Sequence, residues 1–244
     1  CCANITDVRP DCPTAHNYGG HMAINLKTTS SVAATGVKML VYGQAGAGKT
    51  TLIKTMPNPI ILSAEGGLLS INDADIPYIE IGSMADLRDA YQWLGENSKD
   101  FSSIAIDSIS EIAEVVLNYE KKNTKDPRQA YGSMQEQMTD LIRAFRDIPM
   151  HVLMTAKLEK MTDELGRILY APSMPGNKIG QQLPYFFDEV LALRIEKDAD
   201  GNTWRGIKCV GDASWQAKDR SGKLDEWEAP DIGQLIQKIG GHNG

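Results

Sequence analysis

The chain is short of cysteine, of long apolar runs and of positive charge, and each shortage excludes something. Only four of its 244 residues are cysteine, and three of them, Cys1, Cys2 and Cys12, fall in the first 21 positions. A disulfide framework is therefore not what holds the fold. The remaining Cys209 sits in an apolar alternating segment, as a buried thiol would. One cysteine beyond the opening segment suits a reducing cytoplasm, and no secretory signal is visible. No apolar run approaches the ~20 residues that a membrane-spanning helix needs, so a soluble chain with no membrane partner is expected. Against 32 Asp and Glu stand 25 Lys and Arg, a net charge of −7. That balance argues against a protein that coats nucleic acid with its whole surface, while leaving room for a local basic groove.

The first 21 residues lack hydrophobic periodicity, carry Pro10, Pro13, Gly19 and Gly20, and run into Gly19-Gly20-His21-Met22. They read as an expression-tag or cloning-derived segment before a start at Met22, with a single domain over 22–244. Cys1, Cys2, Cys12 and His16 could be drawn as zinc ligands, but their spacing fits no zinc pattern.

What the chain does have, from residue 37 onward, is an alternation of short buried strands and amphipathic helices. Strands are expected over 37–42, 60–62, 78–81, 103–106 and 150–155, each a brief apolar run. Helices are expected over 48–56, after Ser83 with Asp86 three residues on, from Ile109, and through Met134, Met138, Leu141, Ile142 and Phe145. The stretch 157–182 is polar and rich in Gly and Pro, and reads as a long loop. Strands at 188–195 and 203–210 joined through Asp200-Gly201, a last strand at 215–218 and a terminal helix at 231–239 complete the expectation. The acidic run 198–201 lacks the terminal glutamate of a calcium loop, so a hairpin turn is the better reading. The fold class that follows is α/β, with a mainly parallel sheet covered by helices on both faces and one antiparallel edge.

Chemistry concentrates at Gly43-Gln44-Ala45-Gly46-Ala47-Gly48-Lys49-Thr50-Thr51. A Gly-x4-Gly-Lys-Thr loop between a strand and a helix is a P-loop. Its glycines let backbone N–H groups curl around phosphate oxygens, and the helix N-terminus adds its dipole. Lys49 would reach the terminal phosphates, and Thr50 would be a ligand of Mg²⁺, with ATP or ADP as partner. Asp107 ends a buried strand at the edge where ligands of α/β sheets sit, which suits it to the same Mg²⁺. The plainer alternative is a cap for the helix that follows. Glu65 also ends a buried strand and could activate a water, or be a surface carboxylate before a glycine turn.

The order of residues 43–50, then Ala64-Glu65, then Ile106-Asp107-Ser108, resembles the ATPase core of RecA-type recombinases over roughly 36–225. The resemblance implies a RecA-like P-loop NTPase core that hydrolyses ATP, with Glu65 as base and Asp107 serving magnesium. In texture the chain is similar to small phage proteins of that type, which implies work on single-stranded DNA in recombination or annealing inside the host cytoplasm. A helicase-like motor and a nucleotide switch with little hydrolysis are the alternatives. Where RecA-type proteins carry a γ-phosphate-sensing glutamine, this chain reads Thr155-Ala156-Lys157, so either Thr155 or Lys157 would take that place, unless Lys157 is a plain surface lysine. Lys218 and Arg220 resemble the Lys-x-Arg finger of hexameric helicases, which implies a homo-oligomer whose active site is shared between subunits. Two basic segments would correspond to DNA-lining loops: Lys121, Lys122, Lys125 and Arg128 in one, Lys157, Lys160, Arg167 and Lys178 in the other.

Overall fold

A computed structural model of the chain describes residues 36–162 and 165–240. The tag-like segment and its Cys1, Cys2, Cys12 and His16 lie outside those residues. In chain order the elements are β1 (Lys38–Gly43), α1 (Lys49–Leu52), β2 (Pro59–Ser63), β3 (Tyr78–Glu80), α2 (Met84–Asn97), β4 (Ser103–Asp107), α3 (Ile109–Asn123), α4 (Pro127–Arg146), β5 (His151–Thr162), β6 (Ile168–Pro172), α5 (Asn177–Gln182), β7 (Glu189–Lys197), β8 (Thr203–Lys208), β9 (Lys218–Asp219), β10 (Trp227–Glu228) and α6 (Ile232–Ile239).

Six strands run parallel in the order β3-β2-β4-β5-β1-β7. Beyond β7 the sheet turns antiparallel through β8 and β10, while β6 and β9 add antiparallel pairs to β5 and β7. This is the α/β class expected, a mainly parallel sheet covered by helices with one antiparallel edge. Alternation along each strand divides the core in two. Leu40 and Tyr42 of β1 join Ile104, Ile106, Val152 and Met154 beneath α2, α3 and α4. Met39 and Val41 join Ala105, Leu153, Leu191 and Leu193 beneath α1 and α6. Strands buried on both faces must be apolar at every position, which explains why short continuous runs, not alternating ones, marked them.

Helix boundaries follow local chemistry. Ser83 Oγ accepts the Asp86 N–H at the start of α2, and Asp231 caps α6 the same way through Gln234. In α4 the expected stripe of Met134, Met138, Leu141, Ile142 and Phe145 is buried. In α3 Ile109, Ile112, Val116 and Leu117 are buried, while Tyr119 is 63% exposed.

Several elements differ from expectation. The stretch 157–182 is not a long loop: β5 continues to Thr162 and pairs with β6 in a hairpin turning at Gly166, followed by α5. Both faces of that hairpin are partly wet, so it carries no apolar pattern. Residues 120–131 form the end of α3, a turn at 124–126 capped by Asp126, and the start of α4 at Pro127. The strand expected at 215–218 is a single bridge from Trp215 to Tyr170 and the two residues of β9. The helix after the glycine loop is only four residues long, tightening into a 3-10 turn over Ile53–Thr55 before Met56-Pro57.

Candidate functional site

The carboxyl end of β1 with its glycine loop, the turn after β2 and the middle of β5 line one cleft of about 610 Å³, and Asp107 at the end of β4 reaches it through Thr50. Placing β5 between β1 and β4 separates the ends of the latter two by two strand spacings, about 10 Å. The glycine loop spans that gap. Gly43 has to be glycine, since a Cβ there would lie 2.7 Å from the Leu193 carbonyl oxygen of β7. Gly46 and Gly48 hold φ of +77° and +104°, a left-handed backbone that glycine adopts without penalty. The turn closes with the Ala47 N–H donating to the Gln44 carbonyl at 3.2 Å. Lys49 arches back over it, its Nζ donating to the Gly43 and Gln44 carbonyls at 3.0 and 3.2 Å.

Asp107 is 1% exposed and doubly held. Thr50 Oγ1 donates to its Oδ2 at 2.7 Å, and Thr155 Oγ1 donates to its Oδ1. A buried carboxylate and a hydroxyl in contact at the mouth of a cleft form a donor set suited to a hard divalent cation. Among the described residues no group of three or more His, Cys, Asp or Glu is placed to hold a metal by itself, so such an ion would draw further ligands from substrate and water, as Mg²⁺ does. Glu65 lines the same cleft, and Ser108 Oγ donates to its Oε1. Its second oxygen leaves acceptor capacity on an exposed carboxylate. Burial lowers the Lys49 pKa, Glu65 and Asp107 oppose that shift, and Lys157 adds to it. The cleft thus gathers two cations and two carboxylates.

Sequence reasoning missed several lining groups. Ser108 is the N-cap of α3, its Oγ accepting the Glu111 N–H, and a Ser-x-x-Glu pattern at 108–111 was the available signal. Ser70, in a 3-10 segment over Leu68–Ala74, and Leu158 also face the cleft. Neither lies in a motif, so only the tertiary path brings them there.

The remaining candidates are placed differently. Lys121, Lys122, Lys125 and Arg128 are exposed at the tip of the α3–α4 hairpin, Lys125 in the short turn and the other three on the helix ends. Lys121 Nζ lies 5.3 Å from the Tyr131 ring centre. None of the four lines the cleft, so this cluster is separate from it. The second basic set does not form a loop at all. Lys157 is in the cleft, Lys160 on the outer part of β5, Arg167 in the β5–β6 turn and Lys178 on α5.

Lys218 and Arg220 lie away from this chain's own cleft. Lys218, in β9, and Arg220, just after it, lie against the start of β7 at the amino edge of the parallel strands. Lys218 Nζ donates to the Pro184 and Phe187 carbonyls, both at 2.6 Å. Arg220 Nη1 pairs with Asp188 Oδ1 at 2.9 Å. Within this chain both hold their own turn, and neither lines the cleft.

A family model described as an AAA domain matches residues 35–221. No curated protein matches the chain. Among solved structures the chain is similar to a KaiC-like protein of the hyperthermophilic archaeon Pyrococcus horikoshii OT3, at 15% identity and a TM-score of 0.42, over 70% of this chain and 76% of that one. It is similar also to a prototypical ATPase from the type III secretion system of pathogenic bacteria, at 12% identity and a TM-score of 0.42, over 66% of this chain and 55% of that one. The chain therefore spans little more than half the length of the latter. Among the described residues no helix is long and apolar enough to cross a membrane.

Proposed function

Because the chain belongs to the AAA domain family of P-loop ATPases, we propose that it binds ATP with Mg²⁺ on Gly43–Thr51 and hydrolyses it. The observation that carries this is the contact of Thr50 with the buried Asp107, made beside Lys49 and opposite Glu65 in one cleft. Bound Mg²⁺ would supply charge neutralisation on the phosphate chain. The loop N–H groups and Lys49 bind and orient the phosphates. Thr50 and Asp107 hold the cation. Glu65, steadied by Ser108, takes a proton from the attacking water. Replacing Glu65 by Gln keeps the shape and removes the base, so turnover falls by about 10²–10⁴-fold while ATP affinity is preserved. Unchanged turnover in Glu65→Gln would instead describe a nucleotide-dependent binding switch.

The finer reading is that turnover serves single-stranded DNA, as in recombination or annealing. Its support is the exposed cluster of Lys121, Lys122, Lys125 and Arg128 beside Tyr131, cations for phosphates next to a ring able to stack. The deciding measurement is ATP hydrolysis with and without single-stranded DNA, alongside DNA binding across a salt series. Binding that weakens with salt and is lost when the four basic residues are replaced supports this reading. No salt-sensitive binding in the presence of ATP overturns it, and leaves the ATPase assignment standing.

A further inference from the structure

The glycine loop is flanked by two cavities that share Gly46, Gly48 and Thr51. One is the cleft with Lys49 and Glu65; the other, of about 290 Å³, is walled by Thr55, Leu193, Arg205 and Pro230. Those walls come from segments far apart in sequence, and each is fixed. The Leu193 carbonyl of β7 sits against Gly43, 2.7 Å from where a Cβ would fall. Leu193 pairs with the buried Ile207 of β8, and Ile195 with Arg205. Side chains alternate along a strand, so Arg205 shares with Ile207 the sheet face that carries α1 and α6. Pro230 precedes Asp231, the cap of α6. It is held near α1 because the Ile232 N–H donates to Thr55 Oγ1 at 2.8 Å. Gly233 adds a close approach there, since a Cβ on it would lie 2.6 Å from the Thr55 carbonyl oxygen.

The two cavities differ in chemistry. The cleft gathers cations and carboxylates; among the described residues that line the second cavity none is acidic. The Thr55 hydroxyl is used twice, donating to the Leu52 carbonyl at 2.7 Å and accepting from Ile232. Arg205 is exposed, and among the described residues it has neither a hydrogen-bond partner for its side chain nor an ion pair. A free guanidinium beside apolar walls is a planar cation that stacks on the face of an aromatic ring. On another flank of α1 the surface is already engaged. Lys54 Nζ donates to both carboxylate oxygens of Asp73, at 2.8 and 2.7 Å, tying the turn after α1 to the 3-10 segment Leu68–Ala74.

We propose that the second cavity is the nucleoside subsite, where the Arg205 guanidinium stacks on the base of a nucleotide whose phosphates lie on the glycine loop. The proposal rests on the nucleotide reading given above and adds the part of the ligand that the loop does not hold. Contact through the ring face does not read the base edge, so adenine and guanine nucleotides are held alike.

Calorimetry on the full chain tests this with three probes, each with Mg²⁺: non-hydrolysable analogues of ATP and GTP, and inorganic tripolyphosphate. Arg205→Ala should weaken both nucleotides about ten-fold, with tripolyphosphate changed by less than about two-fold. Arg205→Lys keeps the charge and loses the plane, so it should not restore the affinity. Rescue by Lys, or equal weakening of tripolyphosphate, would make Arg205 a phosphate contact and overturn the proposal. A loss confined to the guanine nucleotide, which means edge reading, also overturns it, as does no change in any probe. Wild type that binds tripolyphosphate as tightly as the ATP analogue removes the nucleoside subsite alone. Wild type that binds none of the three removes the nucleotide reading itself.

Discussion

The two edges of the central sheet are built from the same residue types and do opposite things with them. At the carboxyl edge Lys49, Lys157, Glu65 and Asp107 surround an open cleft. At the amino edge Lys38, Lys218, Arg220, Asp188, Glu189 and Asp219 close on one another and on the backbone. Lys38 Nζ donates to the Ile148 carbonyl at 2.6 Å and to that of Met150, Lys218 takes two carbonyls, and Asp188 joins Arg220 to the Lys38 N–H. The difference has a cause in parallel topology. Helices return antiparallel to the strands, so their C-termini arrive at the amino edge with carbonyls lacking helical partners, and their N-termini stand at the carboxyl edge with spare N–H groups. Cations at the amino edge find acceptors within the protein. At the carboxyl edge the backbone is itself a donor, which suits an anion from outside.

The largest effect should separate the edges outright. Lys49→Ala should abolish ATP binding, with turnover down by about 10³-fold or more, and leave the melting temperature nearly unchanged, since Lys49 contacts only its own loop. Normal ATP affinity in that variant would break the comparison at its strongest point. Lys218→Met should do the converse. Two carbonyls lose their donor, which costs about 1–3 kcal/mol of stability in a thermal or denaturant melt, while turnover per folded molecule holds. A hydrolysis defect that depends on protein concentration would return Lys218 to a shared active site.

A smaller effect comes from Glu189, which is fully buried beside Asp219. Burial, with Asp219 alongside, pushes its carboxyl up to about 8 from an ordinary 4.5. Between those values the folded chain keeps a proton that the unfolded chain has lost, so this group's contribution declines as pH rises toward 8. The slope is at most about 1.4 kcal/mol per pH unit for one group. Glu189→Gln should flatten stability between pH 6 and 8. Lys38 acts with the opposite sign and in another window: burial pulls it down to about 8, so its contribution improves from there toward 10.5. Smallest of all is Arg220→Ala. Its pair with Asp188 is 56% and 35% exposed, and such pairs are worth about 0–1 kcal/mol. No change in hydrolysis at any protein concentration is expected, and a measurable loss would reopen the finger.

Much of this was legible in the chain and some was not, for definable reasons. The glycine loop announces itself because three separate demands, a left-handed backbone at Gly46 and Gly48 and a close approach at Gly43, each require the same residue. The methionine and aromatic stripe of α4 was readable because one helix face is wholly buried. The β5–β6 hairpin was not, because neither of its faces is. The place of Lys218 and Arg220 was not legible either, because alternation on a strand says which side chains share a direction, and nothing about which edge of the sheet they reach.

By itself the sequence determined that residues 43–50 carry the P-loop pattern between a buried strand and a short helix, and that the body of the chain is an α/β sheet. Those are local matters of φ, burial period and capping. Only the tertiary structure decided that Thr50 and Thr155 both grip Asp107, that Ser108 steadies Glu65, and that Lys157 belongs to the cleft while Lys218 and Arg220 do not. Each depends on strand order, on β5 being inserted between β1 and β4 and β9 being laid against the start of β7. Strand order is set by which apolar faces bury best together, a property of the whole chain that no single segment carries.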